Sequence, residues 1–171
     1  VAVIDEAIQL RDRGISVPIL VLGHTPDCRA QDLVAMDITP TVFDEPLARA
    51  VSDAAVAAGK RAKIHIKIDT GMSRVGFETT EADLKKILKI SRLPNLEVEG
   101  IFTHFASADE QDKSYTHMQF KRFMDVISRL EEQGLKIPIR HICNSAGIIE
   151  FPEYQLDMVR PGIILYGHYP S

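Results

Sequence analysis

The sequence predicts an α/β fold, an incomplete (β/α)8 TIM-type barrel with roughly strands 2 to 8 and the helices between them. Apolar strand-like segments alternate with helical segments along the chain, which predicts a parallel sheet with helical crossovers. No Gly-rich fingerprint follows the first predicted strand, as a doubly wound open sheet would normally show. About seven strands fit into 171 residues, whereas a complete barrel needs about 250.

The predicted strands are short, apolar and bounded by turn residues. They cover residues 1–4, 19–22, 41–43, 62–69, 96–104, 139–143 and 158–166, the last broken by Pro161 and Gly162. Because residues 1–4 carry no initiator Met and begin within a strand, we expect the chain to be part of a longer polypeptide.

The predicted helices between these strands are identified by caps and by apolar spacing. Asp5 is predicted as the N-cap of a helix over residues 6–13, and Gly14 ends it. Thr80 is predicted to cap a helix with an apolar face, and Gly134 to stop the longest helix. The remaining helical ranges are 28–34, 45–58, 115–133 and 146–149.

Composition excludes several classes of function. The net charge is −4 and basic residues form no block, which predicts no nucleic-acid or anionic-membrane partner. No apolar run approaches the ~20 residues of a membrane span. Two distant cysteines, Cys28 and Cys143, suit a reducing cytoplasm, and the scattered histidines predict no metal site.

A lysine in the strand over residues 62–69 stands out. Alternation places the isoleucines on one face and His65, Lys67 and Asp69 on the other. Strands of parallel sheets are usually buried on both faces, and a buried cation is costly unless paired or chemically altered. Lys67 therefore either reaches solvent, makes a structural ion pair or is modified.

Polar residues collect where strands end, which is the active-site rim of a barrel. They are Lys67, Asp69 and Arg74; His104 with Asp109 and Glu110; Asn144 and Ser145; and Arg160, Gly162 and Ile163. Each has an ordinary alternative, such as a core histidine, a helix cap, solvated loop charges or a strand break. Together they predict a phosphate site at Ser145, Gly162 and Ile163, and a phosphorylated cofactor, since no strong nucleophile set is visible.

Five segments in order resemble the alanine racemases, enzymes that interconvert L- and D-alanine with pyridoxal 5′-phosphate (PLP). They are KIDTGMSRVG (67–76), THFASADE (103–110), YTHMQF (115–120), CNSA (143–146) and MVRPGIILYG (158–167). The resemblance extends over essentially the whole chain and implies that residues 1–171 are a partial PLP-binding barrel domain.

The resemblance implies roles for nine residues. Arg160 would face the pyridine nitrogen of PLP, with His104 bonded to Arg160. The phosphate would be held by Ser145, Gly162 and Ile163, beside Asn144. Arg74 would contact the cofactor's phenolic oxygen and the substrate carboxylate, and Lys67 would be N-carboxylated to fix Arg74. Asp109 would line the substrate entrance.

The resemblance also implies residues that this sequence does not supply. The Schiff-base lysine belongs to the first strand, and a tyrosine base comes from the C-terminal domain of a partner subunit. We therefore expect these 171 residues alone to be inactive, and the parent to be a cytoplasmic homodimer. The alternatives are a non-catalytic PLP-binding protein, a serine or lysine racemase on the same barrel, or a related decarboxylase, which Arg160 disfavours.

Overall fold

The structure is a computed structural model that describes residues 1–170, and it divides into two compact units. The first unit comprises Val1–Ile66 and Lys85–Glu99. The second comprises Lys67–Leu84 and the residues from Gly100 onward. Two strands and one helix contribute residues to both units, so each unit is described by its own contacts.

The first unit contains parallel strands followed by helices. Its elements are α1 (Ile4–Asp12), β1 (Leu20–Val21), a 3-10 turn (Asp27–Arg29), α2 (Ala30–Ala35), β2 (Thr39–Val42), α3 (Glu45–Ala57), most of β3 (Ala62–Lys67), most of α4 (Glu81–Ile90) and the start of β4 (Leu96–Phe102). β1 pairs in parallel with β2, and β2 with β3. Asp44 caps α3 by accepting a hydrogen bond from the Leu47 N–H at 2.9 Å. Ile64 and Ile66 of β3 have no exposed surface and form part of the core.

The second unit contains the strand ends that carry most of the predicted polar residues. Its further elements are α5 (Ser114–Glu132), β5 (Ile139–His141), α6 (Ser145–Glu150) and two 3-10 turns (Pro152–Tyr154 and Ile163–Tyr166). Gly100–Phe102 of β4 pair in parallel with β5. The helix α5 buries Phe123, Val126, Ile127 and Leu130 at the spacing that the sequence predicts.

The α/β class is confirmed, but residues 1–170 contain five strands rather than about seven. At the start, the Val1 and Ala2 carbonyls accept from the Leu22 and Gly23 N–H groups, yet α1 begins at Ile4 and leaves no room for a strand. Asp5 lies in the first turn rather than at the cap. The Glu6 carboxylate instead accepts from the Ala2 and Val3 N–H groups.

The predicted strand over residues 158–166 is also absent. Met158 forms a single bridge with His141, and a 3-10 turn follows from Ile163. Pro161 lacks the N–H that a ladder needs, so pairing cannot continue through it. Before Pro161 the segment runs beside β5 and the residues that follow it, with Asp157 N–H donating to the Arg140 carbonyl and Arg160 N–H to the Cys143 carbonyl, but it forms no strand.

Two further properties concern residues 1–170 only. No helix among them has the length and apolar character needed to cross a bilayer. They also contain no cluster of three or more His, Cys, Asp or Glu side chains placed to hold a metal ion.

Candidate active site

Arg160 is the most extensively bonded side chain of the site. Its Nη1 lies 2.6 Å from His141 Nδ1, and its Nη2 donates to the carbonyls of Thr103 at 2.8 Å and Ile142 at 3.0 Å. Burial lowers the pKa of Arg160 to about 10, with Cys143 opposing the shift. The guanidinium therefore remains protonated at neutral pH and fixed in orientation.

His141 is the functional residue that sequence reasoning missed. An arginine side chain can only donate, so His141 Nδ1 must accept and the neutral ring carries its proton on Nε2. The ring is fully buried and stacks on Phe102 with centroids 4.5 Å apart. His104, the predicted partner of Arg160, lies farther away, with Nδ1 3.4 Å from Arg160 Nη2. The closer partner of Arg160 is thus His141.

His104 is half-buried among cations. Burial lowers its pKa to about 4, and the positive charges of Arg160, Arg74 and Lys67 add to that effect. The ring is therefore neutral at pH 7. A neutral histidine surrounded by three basic side chains suits a site for an anionic ligand.

Lys67 is only 3% exposed, so the alternative that it reaches solvent is excluded. Its Nζ donates to the carbonyls of Ile68 at 2.8 Å and Val75 at 3.3 Å. Burial lowers its pKa to about 8; Asp69 opposes this, while Arg160 and Arg74 contribute to it. About a tenth of this amine is consequently neutral and nucleophilic at pH 7.

Residues 70–76 form the loop that carries Arg74. Backbone hydrogen bonds join its two ends, and the Asp69 carboxylate accepts hydrogen bonds from N–H groups within it. Phe77 N–H donates to the Lys67 carbonyl and Asp69 N–H to the Phe77 carbonyl. Asp69 Oδ1 accepts from Gly71 N–H at 2.8 Å and Ser73 N–H at 3.1 Å, and Oδ2 accepts from Arg74 N–H at 3.1 Å. The carboxylate therefore fixes the backbone from which the exposed Arg74 side chain projects.

We expect the stabilising effect of Asp69 to depend on pH. Burial alone would raise its pKa, but the N–H donors and Lys67 outweigh burial, and the pKa is lowered overall. A lowered pKa means that the carboxylate stabilises the fold above its unfolded pKa, near 4, and stops doing so as pH falls through the folded value. The Tm difference between the wild type and Asp69→Asn should thus be constant from about pH 7 to 5 and shrink below about pH 4. Asp53→Asn, on the exposed face of α3, is the control; an Asp69→Asn difference that grows on acidification would contradict this account.

Gly76 is required where the loop returns to the strand. Its φ is +140°, and a Cβ there would lie 2.5 Å from the Asp69 nitrogen and 2.7 Å from the Ile68 carbonyl carbon. We expect Gly76→Ala to lower the unfolding free energy of the full-length protein by about 3 kcal/mol or more, measured by denaturant unfolding. Gly134→Ala, with φ +86° but nothing within 4 Å, should cost only about 1 kcal/mol. Equal losses would mean that the close approach to Asp69 is unimportant.

The structure brings together some of the residues predicted to bind a phosphate. Ser145 Oγ accepts from Gly162 N–H at 2.9 Å, and within residues 1–170 its own hydroxyl hydrogen has no acceptor. Asn144 caps α6 by accepting from Gly147 N–H at 2.9 Å. Ile163 begins a 3-10 turn and is 48% exposed. Gly162 therefore joins Ser145 to the segment that leads to Ile163, but its N–H is already bonded to Ser145 Oγ, and Asn144 acts as the cap.

Asp109 and Cys143 have simpler surroundings than the residues above. Asp109 is exposed in the loop between β4 and α5, and its carboxylate has no hydrogen bond or ion pair within residues 1–170. Cys143 is buried, and burial raises the pKa of its thiol to about 11, with Glu153 adding to the shift and Arg160 opposing it. A buried thiol with a raised pKa is a poor nucleophile, so Cys143 is an inert residue.

Comparison with known proteins settles the family. The alanine racemase N-terminal domain family matches residues 1–170. The chain belongs to the alanine racemase family. Alanine racemases of Clostridium tetani and Desulforamulus reducens are each 54% identical over all 171 residues, which cover 44% and 46% of those proteins. A solved structure titled as alanine racemase of Clostridium difficile 630 in complex with cycloserine matches with a TM-score of 0.97 and 45% identity, over 99% of this chain and 47% of that one.

The chain thus spans about half the length of the alanine racemases that it matches. The fold class predicted from sequence, the incomplete (β/α)8 TIM-type barrel, is confirmed by this family membership and by the structural agreement. Within the second unit, the alanine racemase motifs supply three cations and the neutral His104, and His141 lies beside Arg160 from outside those motifs. Such a donor-rich set can bind and orient an anionic, phosphorylated ligand.

Proposed function

We propose that the protein containing this chain is a PLP-dependent alanine racemase, and that residues 1–171 form a partial PLP-binding barrel domain of it. The observation that carries the proposal is the Arg160–His141 pair. It fixes a protonated guanidinium, while the neutral His104 lies beside it. Both family membership and the donor chemistry of the second unit support this reading.

The residues present fit PLP. The hydroxyl hydrogen of Ser145 lacks an acceptor within residues 1–170, so it is available to a phosphate oxygen. The Ile163 N–H would add a phosphate contact, with Asn144 shaping the start of α6. The Gly162 N–H donates to Ser145 Oγ in this structure, and it would contact a phosphate oxygen by exchanging that bond. Arg160 would donate a hydrogen bond to the pyridine nitrogen, which is an acceptor when unprotonated.

When bound, PLP supplies an electron sink for removal of the proton α to a carboxylate. Arg160 keeps its own proton because its pKa of about 10 exceeds that of a pyridine nitrogen. It therefore holds that nitrogen as an acceptor without protonating it, which moderates the sink and favours simple proton exchange over side reactions. His141 and the carbonyls of Thr103 and Ile142 hold the guanidinium in place.

The remaining residues would bind and orient the substrate. Arg74, on its carboxylate-filled loop, would hold the substrate carboxylate and the phenolic oxygen of the cofactor. Lys67 would be N-carboxylated and hold Arg74, and the exposed Asp109 would line the entrance. His104, neutral at pH 7, would contact the cofactor without adding a further positive charge.

We also propose that the parent is a bacterial, cytoplasmic homodimer that supplies D-alanine for peptidoglycan. The similar alanine racemases of Clostridium tetani and Clostridium perfringens come from bacteria, which supports the bacterial part of this proposal.

The test is racemisation of L-alanine by the full-length protein with PLP added, followed by chiral separation of the product. D-alanine formation that depends on both protein and PLP is expected. PLP binding without D-alanine formation would overturn the alanine assignment, and serine and lysine assayed in parallel would identify a related racemase. No turnover of any of the three would favour the non-catalytic PLP-binding alternative.

A further inference from the structure

Gln119 lies on α5, is fully buried, and uses both ends of its side-chain amide. Its Oε1 accepts from Ala106 N–H at 2.8 Å. Its Nε2 donates to the His104 carbonyl at 3.1 Å and to Thr70 Oγ1 at 3.2 Å. A buried amide is costly unless its polar atoms are bonded, so these three contacts are the reason that a glutamine is tolerated here.

The three partners belong to two different loops. Thr70 begins the loop that ends at Gly76 and carries Arg74, whereas His104 and Ala106 begin the loop that leads to α5. We propose that Gln119 is a positioning residue, which joins these two loops and thereby fixes the placement of Arg74 relative to His104. This inference rests on the proposed function, because it assigns Gln119 an effect on substrate binding through Arg74.

Neighbouring contacts show that α5 holds the Arg74 loop along one face. Tyr115 OH donates to the Gly71 carbonyl at 2.8 Å, and Arg122 Nη1 donates to the Thr70 carbonyl at 3.2 Å. Tyr115, Gln119 and Arg122 stand at helical spacing of four and three residues, so their side chains share a face. Of the three, Gln119 is the residue whose contacts reach the second loop as well.

Thr70 extends the connection toward Arg160. Its hydroxyl lies 2.9 Å from Thr103 Oγ1, and the Thr103 carbonyl accepts from Arg160 Nη2 at 2.8 Å. Thr70 and Thr103 are both buried, with exposures of 1% and 0%. Loss of the Gln119 amide would therefore loosen the Arg74 loop, which Tyr115 and Arg122 still contact, while leaving the direct contacts of Arg160 in place.

The test compares Gln119→Met, which keeps the side-chain volume, with Thr70→Val. The second variant removes the Thr70 hydroxyl, and with it the links to Gln119 and Thr103, but leaves the contacts of Gln119 with Ala106 and His104. Gln133→Met, at the exposed end of α5, is the matched control. Amide hydrogen exchange of the full-length protein should accelerate at residues 70–74 and at Ala106 in Gln119→Met. In Thr70→Val it should accelerate at residues 70–74 alone. Neither region should change in Gln133→Met.

The kinetic readout distinguishes positioning from a merely structural role. With PLP saturating, kcat/KM for L-alanine should fall by about 10- to 100-fold in Gln119→Met, mostly through KM, since Arg74 binds the carboxylate. Unchanged exchange in both loops, or faster exchange with unchanged kcat/KM in an active wild type, would overturn the inference. A wild type without racemase activity would overturn the proposed function instead, and exchange alone would then decide whether Gln119 joins the loops.

Discussion

Replacing Arg160 with lysine is expected to lower kcat/KM for alanine racemisation by about 10²- to 10³-fold with PLP saturating. The guanidinium bonds simultaneously to His141 and to the carbonyls of Thr103 and Ile142. A lysine presents one ammonium group, which cannot reach these partners and the pyridine nitrogen in the same fixed geometry. An ammonium group can also lose its proton more readily, so the electronic environment of the cofactor should change.

The comparison that separates chemistry from folding uses two further variants. Arg160→Ala leaves the buried carbonyls without a donor, and each unsatisfied group lowers the unfolding free energy by about 1–3 kcal/mol. The Tm of Arg160→Ala should therefore fall further than that of Arg160→Lys. Arg61→Lys, in an exposed pair with Glu97, should change neither activity nor Tm measurably. If Arg160→Lys retained wild-type kcat/KM and cofactor absorbance, Arg160 would not contact the pyridine nitrogen.

The sequence predicted the alternation of strands and helices well because those signals are local. The apolar face of α5 and the stop at Gly134 depend only on residues a few positions apart, and both are found. The strands at the two ends were predicted wrongly for a non-local reason. A strand forms only where its backbone can hydrogen-bond to a neighbouring strand over several residues. At the start of the chain, α1 begins at Ile4 and leaves too few residues for this. Near the end, Pro161 lacks the N–H that would continue the pairing begun at Met158.

The candidate active site shows the same difference between local and non-local signals. Lys67 and Arg160 were identified because charged residues at strand ends are conspicuous in any single sequence. His141 was overlooked because a histidine within an apolar strand usually indicates a satisfied core residue, and only the structure shows Arg160 beside it. Gln119 stands in the segment YTHMQF, but its role gave no signal, because its partners Thr70, His104 and Ala106 lie 49, 15 and 13 residues away.

Lys67→Met is expected to lower kcat/KM by about 10- to 100-fold with little change in Tm. Methionine fills the same space, and replacing a buried cation removes the free-energy cost of its desolvation. This gain partly offsets the loss of the two hydrogen bonds from Lys67 to backbone carbonyls. The functional loss follows from the proposed N-carboxylation, which methionine cannot undergo. Lys85→Met, on the exposed side of α4, is the control and should leave kcat/KM unchanged.

The lowered pKa of Lys67 makes the modification chemically reasonable. With a pKa of about 8, about a tenth of the amine is neutral at pH 7, compared with well below a thousandth for an ordinary lysine. The neutral nitrogen attacks the carbon of CO2, one N–H proton is released, and the side chain changes from a cation to an anion. An anion there would be attracted to Arg160 and Arg74, whose positive charges disfavour the ammonium form.

Mass spectrometry under non-denaturing conditions should therefore find the mass of one CO2 on the wild type and none on Lys67→Met. Removing dissolved CO2 should lower wild-type activity reversibly. At a fixed partial pressure of CO2, the loss should be regained faster as pH rises toward 8, because more of the amine is then neutral while the CO2 concentration is unchanged. The activity of Lys67→Met should not respond to CO2. Full activity with an unmodified Lys67 would show instead that the buried ammonium group and its two carbonyl partners suffice to hold the Arg74 loop.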